Sequence, residues 1–186
     1  MNRSQIQQHA ERSVPEQAAE VLSEGRVAHV GFVEDGQPYV IPMGYHFDRT
    51  QPDRMYLHGS PESRAMKHLL SGAPVCATVT LLDGLVYSRT ALYHSINYRS
   101  VVGFGHGRAV TDPRTQRKVF EAMVRRYFAG RTEGVDYSAP TAEQLEATAL
   151  VELVMEEWSA KAREGGPKGP LDGLEDAPGT CGVVPL

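Results

Sequence analysis

Apolar and polar residues alternate with a period of two along most of the chain, which predicts a mainly β protein. Two Asp-Gly pairs, Asp35–Gly36 and Asp83–Gly84, each lie between alternating segments, and this arrangement predicts two β-hairpins. The predicted strands are 27–34, 38–47, 55–58, 75–82, 85–93, 98–110 and 149–158.

Alternation within these strands also predicts which side chains face the core. In the segment 98–110, Gly103, Gly105 and Gly107 share one face, a pattern typical of a close approach by another backbone or a flat ligand. The predicted core residues include Val30, Phe32, Val79, Val102, Phe104 and Leu153.

Helical spacing and capping signals predict four helices between the strands. They are 15–24, a segment from the Ser60 N-cap to Leu70, 113–129 and 141–146. Hairpins with helices inserted between them favour an antiparallel barrel with peripheral helices, of the α+β class, over a doubly wound parallel sheet.

The 186 residues fit one domain, since the composition is 41% hydrophobic and 23% charged. We expect a flexible N-terminal segment at 1–14, the domain at 15–164 and an irregular extended tail at 165–186. The sequence has no apolar stretch long enough for a membrane span and no secretory signal. Two cysteines without metal-ligand spacing favour a reducing compartment, so the predicted location is the cytoplasm.

Charge argues against a nucleic-acid partner, because the net charge is -4. A local excess of Arg and Lys between Arg108 and Arg131 alternates with apolar residues at helical spacing. We interpret this segment as a helix with one face on the core and a solvated basic face.

The strongest candidate site is the junction from a strand to a helix at 58–67. Ser60 and Ser63 provide hydroxyl groups, and Arg64 and Lys67 provide positive charge near the helix start, which suits a phosphate group. The alternative is a capped surface helix with ordinary cations. Neither a GxGxxG nor a GxxxxGK[ST] motif is present.

Other site chemistries find less support. The seven histidines show no metal-ligand spacing, and no GxSxG nucleophile motif occurs. Cys76 lies within an apolar strand and is predicted to be a core residue rather than a nucleophile.

Several motifs in order resemble one known family. They are VIPMGYHFD, MYLHGSPESRAMKHLL, VCATVTLLDGLVYSR, SINYRSVVGFGHGRAV, ELVMEEWSAKAREGGPKG and a terminal GVVPL. From about Pro15 onward the chain resembles the pyridoxamine 5'-phosphate oxidase-like flavoproteins, and among them the branch with the nitroimidazole-resistance proteins.

The resemblance implies an FMN-binding split β-barrel that is a homodimer, with flavins in the clefts between subunits. It implies that FMN phosphate lies at Ser60, Ser63, Arg64 and Lys67, and that a histidine, His58 or alternatively His46, assists substrate reduction. The other implied cofactor-binding residues are Val40, Ile41, Pro42, Met43, His58, Thr78 and Thr80 around the isoalloxazine, with Tyr98, Arg99 and Ser100 near the dimer cleft.

One departure from the family concerns the substrate. Oxidases acting on pyridoxine phosphate end in Arg-Leu-x-Pro, whereas this chain ends in Gly182-Val183-Val184-Pro185-Leu186 without the Arg, which argues against vitamin B6 oxidation. The resemblance therefore implies an FMN-dependent oxidoreductase that passes electrons from NADH, NADPH or another donor to a small-molecule acceptor. The alternatives are a flavin-binding or sensor protein without turnover, and a split barrel that uses haem or the deazaflavin F420.

Overall fold

Seven strands and four α-helices make up the computed structural model, which describes residues 3–186. The strands are β1 (Val27–Glu34), β2 (Gln37–Phe47), β3 (Arg54–Gly59), β4 (Pro74–Tyr87), β5 (Ser95–Ala109), β6 (Ala149–Arg163) and β7 (Gly182–Pro185). The helices are α1 (Ala18–Glu24), α2 (Arg64–Leu70), α3 (Pro113–Tyr127) and α4 (Ala142–Glu146), with short 3-10 turns at Ala10–Arg12, Pro15–Gln17 and Ala91–Tyr93.

The strands form a closed ring with every pairing antiparallel. Their order is β1-β2-β3-β6-β5-β4, and β1 pairs again with β4 to close the ring, while β7 extends the sheet beyond β4. The predicted antiparallel split barrel with peripheral helices is confirmed. No helix of the described residues has the length and hydropathy that a bilayer crossing requires.

The predicted second hairpin is wrong, because β4 is one continuous strand. Asp83 and Gly84 lie at a register shift within β4 and not at a turn. Both halves of the strand pair with β5, as the pairs Thr80–Ser100 and Leu85–Ile96 show. A shared partner strand thus keeps the chain extended through a dipeptide that by itself favours a turn. The segment predicted as strand 85–93 ends at Tyr87 and continues into a 3-10 turn.

The core lies inside the ring, where Val30, Phe32, Val79 and Leu153 are buried as predicted. The prediction is wrong for Val102 and Phe104, which are half-buried and face outward. Gly103, Gly105 and Gly107 occupy three inward positions of β5, next to the buried Val101. A Cβ at Gly105 would lie 1.8 Å from the Val154 carbonyl oxygen, and one at Gly107 would lie 2.2 Å from the Leu69 carbonyl oxygen. The predicted close approach of another backbone is therefore confirmed at these glycines.

Both ends of the chain contact the barrel. The Arg3 side chain donates hydrogen bonds to Glu156 and Glu157 of β6, and the first two residues of the predicted flexible segment lie outside the described residues. In the tail, the Asp172 carboxylate accepts hydrogen bonds from Ser88 Oγ and the Arg89 amide. The tail predicted as irregular ends in β7, a strand that the sequence analysis did not predict.

Candidate functional site

Six outward-facing residues of β1, β2 and β4 form a flat area on the outside of the ring, which we call the platform. Each β1 residue of the platform pairs with one residue of β2 and one of β4, so the six residues form two rows. All but the histidine are small, which leaves room for a planar ring system to approach the sheet. The platform consists of His29, Gly31, Val40, Pro42, Cys76 and Thr78.

The segment Val40–Met43 contributes to the platform with only half of its side chains. Val40, which is 64% exposed, and Pro42 face outward. Ile41 and Met43 face inward and pack against the core. Strand alternation thus leaves these two residues only their backbone groups for contact with an outside ligand.

On β4, Thr78 belongs to the platform and Thr80 lies two residues further along the same outward face. The predicted core position of Cys76 is wrong, because Cys76 is half-buried and faces outward between Gly31 and Phe104. Burial raises the pKa of the Cys76 thiol. The thiol is therefore protonated at neutral pH, which disfavours a role as nucleophile.

The predicted phosphate residues lie at the start of α2. The N-cap is Ser63 and not Ser60: Ser63 Oγ accepts a hydrogen bond from the Met66 amide at 3.3 Å. Ser60 lies one turn earlier, and its Oγ accepts a hydrogen bond from the Glu62 amide at 3.3 Å. The Ser-Pro pair suggested an earlier helix start, but the chain makes a turn there before α2 begins.

Both cations of α2 have acidic partners on the surface. Arg64 Nε lies 2.9 Å from Glu34 Oε2, and the guanidinium lies 4.2 Å from the centre of the Tyr39 ring. Lys67 Nζ lies 2.8 Å from Glu62 Oε2. Glu34 is the last residue of β1, and Tyr39 of β2 is next to the platform residue Val40. Through these two contacts Arg64 lies against the hairpin at one end of the platform. Exposed ion pairs of this kind contribute about 0–1 kcal/mol, so a phosphate dianion can displace the carboxylates.

His46 and His58 lie on the outward side of β2 and β3, facing α3. The His46 ring stacks on Tyr56 with 6.0 Å between ring centres, and the His58 ring meets Phe120 edge-on at 5.4 Å. Burial lowers the pKa of both imidazoles below the ordinary 6.5, and the nearby Arg126 charge lowers that of His46 further. His46 Nδ1 is buried without a hydrogen-bond partner among the described residues. Of the two, only His58 is solvent-exposed, two residues before Ser60.

The three β5 residues predicted near the dimer cleft do not share a face. Tyr98 and Ser100 face outward, whereas Arg99 faces the other side and forms ion pairs with Asp83 and Glu24, both at 2.9 Å. Hydrogen bonds to these carboxylates raise the pKa of Arg99. Arg99 therefore anchors β5 to α1 and does not point toward the platform.

Sequence reasoning missed His29 and Gly31, which occupy the middle of the platform. The signal was present in the alternation of β1, whose buried residues Ala28, Val30 and Phe32 leave these two positions outside. A histidine and a glycine on the solvent side of a strand are ordinary in isolation. The pairing of β1 with both β2 and β4 places His29 and Gly31 in the middle of the platform. Within the described part of the chain, no three His, Cys, Asp or Glu side chains come together as a metal site.

Comparison with known proteins shows which family the chain belongs to. The model of the pyridoxamine 5'-phosphate oxidase family matches residues 15–162. No curated protein matches the sequence.

Two solved structures are similar over most of both chains. The FAD and heme binding protein from Mycobacterium smegmatis is 33% identical, with a TM-score of 0.81 and coverage of 94% of this chain and 82% of that one. The flavocytochrome Anf3 from Azotobacter vinelandii is 30% identical, with a TM-score of 0.83 and coverage of 100% and 85%.

A candidate 5-nitroimidazole antibiotic resistance protein from Bacteroides thetaiotaomicron has the same fold at 21% identity, with a TM-score of 0.63 and coverage of 81% of this chain and 88% of that one. The predicted family resemblance is thus confirmed by the family model and by the structures. The chain belongs to the pyridoxamine 5'-phosphate oxidase family.

Proposed function

We propose that this protein binds a flavin nucleotide on the platform and uses it as an oxidoreductase, passing electrons from NADH or NADPH to a small acceptor. The observation that supports this most directly is the continuous, flat outer face of β1, β2 and β4 beside the cationic start of α2. Two similar proteins are described as an FAD and heme binding protein and a flavocytochrome, which also supports a flavin.

The platform residues fit a flavin in size and chemistry. Gly31 and the small neighbouring side chains leave the strand backbone accessible to a flat ring, and Thr78 contributes a hydroxyl group. Bound there, a flavin supplies hydride and single-electron chemistry, while the protein supplies orientation and electrostatics. His58 is the residue we assign to protonate the reduced acceptor, because its ring is exposed beside the start of α2.

Arg64 and Lys67 bind the phosphate of the flavin in this proposal. FMN and FAD share that phosphate next to the ribityl chain, so the assignment holds for both. The sequence resemblance implies FMN, whereas the similar M. smegmatis protein is described as binding FAD. Protein denaturation followed by chromatography of the released pigment distinguishes FMN, FAD and F420.

The test compares flavin affinity in Arg64→Ala with that in Arg125→Ala. Arg125 is a matched control, since it is also a surface arginine in an ion pair, with Glu121 at 3.6 Å. Loss of a charge-assisted hydrogen bond to phosphate weakens binding by roughly 1.5–3 kcal/mol, or about one to two decades in Kd. Fluorescence quenching of the flavin measures the affinity. Wild-type affinity in Arg64→Ala together with weaker binding in Arg125→Ala would place the phosphate on α3 instead.

A purified yellow protein that NADH or NADPH bleaches supports turnover. A yellow protein that reacts with neither supports the alternative of a flavin-binding or sensor protein.

A second candidate function is the binding of haem together with the flavin. It is favoured by the two proteins at 30% and 33% identity, since one is described as an FAD and heme binding protein and the other as a flavocytochrome. A Soret band in the absorption spectrum of the purified protein, beside the flavin bands, tests it.

A further inference from the structure

A pocket of about 440 Å³ lies between α3, α4 and the turn that precedes α2. Its volume falls within the range of about 300–1,000 Å³ that is typical of small-molecule sites. Pro61 borders the pocket, and in the chain it lies between Ser60 and Ser63 of the proposed phosphate site. The pocket therefore adjoins the residues that we assign to the flavin phosphate. We call it the α3–α4 pocket.

Apolar side chains from several parts of the chain form most of the walls of the α3–α4 pocket. Leu145 of α4 and Leu150 of β6 are 4% and 1% exposed, and Val110 packs against the same small core cluster as Leu150. Leu70, the last residue of α2, borders the pocket with 38% of its surface exposed. Walls of this kind bind the apolar body of a ligand and disfavour a hydrated ion.

The pocket and the platform lie on either side of His58. This histidine belongs to β3, which pairs with β2 of the platform on one side and with β6 on the other. The wall residue Leu150 is directly opposite His58, and opposite residues of an antiparallel pair face the same side of the sheet. The His58 ring also meets Phe120 edge-on at 5.4 Å, one turn of α3 after the lining residue Gln116. A ligand in the pocket thus lies beside the histidine that we assign to proton transfer.

One arginine holds a fixed positive charge where α3 and α4 meet. Arg117 lines the pocket, and its Nη1 donates a 2.9 Å hydrogen bond to the carbonyl oxygen of Pro140, just before α4. The carbonyl orients the guanidinium but does not neutralise it, and Arg117 forms no ion pair with any of residues 3–186. The remaining N–H groups of such an arginine can bind a carboxylate, sulfonate or phosphate.

Glu146 is the other charged residue among the described residues that line the pocket. It is exposed at the end of α4, and its side chain has no hydrogen bond or ion pair within the described part of the chain. Nothing therefore holds the Glu146 carboxylate toward the pocket, whereas the Pro140 carbonyl holds Arg117. The fixed charge at the pocket is positive and favours an anionic group.

We propose that the α3–α4 pocket binds the electron acceptor, and that this acceptor has an apolar ring system and one anionic group, which Arg117 binds. Neighbouring strands lie about 4.8 Å apart, so the wall at β6 is roughly 10 Å from β2, a span that suits two fused rings. The reacting end of the acceptor then extends past His58 toward the platform. This inference rests on the proposed oxidoreductase function and names its substrate class. For a quinone, the net reaction converts NADH or NADPH, one proton and the quinone into NAD+ or NADP+ and the quinol.

The first experiment measures binding without turnover, by calorimetric titration of the purified full-length protein with naphthalene sulfonate. The wild type is expected to bind one sulfonate per chain, about ten-fold more tightly than the uncharged naphthalene methanol. Arg117→Ala should lose this preference for the anion. Arg114→Ala is the matched control, since Arg114 is an exposed arginine of the same helix outside the pocket lining, and it should bind as the wild type does. An equal preference for the sulfonate in Arg117→Ala and the wild type overturns the proposal.

Two tryptophan substitutions locate the bound molecule. Ala142→Trp places a large ring in the α3–α4 pocket from the exposed start of α4 and should weaken sulfonate binding at least ten-fold. Ala139→Trp is the control, because Ala139 lines a separate hollow of about 430 Å³ between α3 and the segment before α4. Weaker binding in Ala139→Trp but not in Ala142→Trp would place the ligand in that hollow and overturns the proposal.

Turnover shows whether the bound molecule is the acceptor. With NADH or NADPH as donor, Arg117→Ala should raise KM for naphthoquinone sulfonate about ten-fold and leave KM for naphthoquinone unchanged, with similar kcat, because Arg117 binds the acceptor away from its reacting atoms. A wild type that turns over both quinones with equal kcat/KM overturns the assignment of the acceptor class.

Flavin content is measured in the same samples, so that the two proposals fail separately. A flavin-loaded wild type that NADH or NADPH bleaches but that binds no sulfonate overturns the acceptor pocket alone. A wild type that binds the sulfonate at Arg117 but neither contains nor takes up flavin overturns the oxidoreductase function, and with it the role of the ligand as acceptor.

Discussion

At the scale of single residues, position relative to α3 distinguishes two histidines that look equivalent in the sequence. His46 and His58 both face α3, and burial lowers the pKa of each below 6.5. His46 is half-buried and stacks on Tyr56, and its Nδ1 is buried, so it is less accessible to a small acceptor than His58. The exposed His58 is therefore the better candidate for proton transfer.

A lowered His58 pKa has a consequence for the pH dependence of turnover. If protonated His58 donates to the acceptor, the active fraction falls as the pH rises through a pKa below 6.5. Turnover of the wild type should therefore increase as the pH is lowered from 8 toward that pKa. His58→Ala should retain flavin but lose this increase in turnover at lower pH. Steady-state rates between about pH 5 and 8 measure the pH dependence of both proteins.

Loss of flavin from His58→Ala would instead show that the ring holds the cofactor. An unchanged pH profile in the flavin-loaded variant would exclude His58 as the proton donor.

At the scale of secondary-structure elements, β5 shows how glycine permits a sheet to close. The inward positions at Gly103, Gly105 and Gly107 have no space for rigid side chains, because β6 and the end of α2 approach them directly. At Gly103 a Cβ would meet Met155 Sδ at 2.8 Å, a flexible side chain. At Gly105 and Gly107 it would meet backbone atoms, which cannot move without displacing a strand or a helix.

Gly105→Ala is expected to destabilise the protein by about 1–3 kcal/mol or more, since the new Cβ would lie 1.8 Å from the Val154 carbonyl oxygen. Gly173→Ala is the control, because no atom lies within 4 Å of its Cβ position. It should change stability by less than about 0.5 kcal/mol. Urea unfolding followed by circular dichroism measures both variants. Equal stability of the two variants would show that β6 can move away from Gly105 at little cost in stability.

At the scale of the whole molecule, the outer face of the first hairpin around the platform carries exposed apolar side chains. Val27, Val33 and Val40 are 42%, 58% and 64% exposed and belong to the two strands of the first hairpin. A ring lying on the platform of a single chain would have one side in water. A second copy of the chain closing over this face would enclose it, and we therefore propose a homodimer with the cofactor between subunits.

The purified protein is accordingly expected to sediment at twice its chain mass of 20.4 kDa. Val40→Asp places a charge in the proposed interface and should shift the protein toward monomer, with loss of flavin in parallel. Val135→Asp is the control, because Val135 is 82% exposed in the connection after α3. Analytical ultracentrifugation with absorbance at flavin wavelengths follows mass and cofactor together. A monomeric wild type that binds flavin tightly would contradict the proposed assembly.

The sequence by itself determined the antiparallel barrel, the first hairpin, the helices and most inward residues, because these follow from local periodicity and capping. The helix α2 was predicted from local signals, but its start was placed one turn too early, at Ser60 instead of the N-cap Ser63. The family resemblance followed from motifs in order along the chain. These features depend on neighbouring residues alone.

Only the tertiary structure decided where side chains from distant segments meet. Pairing with β5 turned Asp83–Gly84 from a predicted turn into a bulge, and close backbone approach moved Val102 and Phe104 to the outer face. The platform exists because β1 pairs with β2 and β4 at once, which joins His29 to Thr78, 49 positions away. Strand register sets these neighbours through long-range hydrogen bonds. The alternation along one strand does not determine which residues of a partner strand lie opposite it.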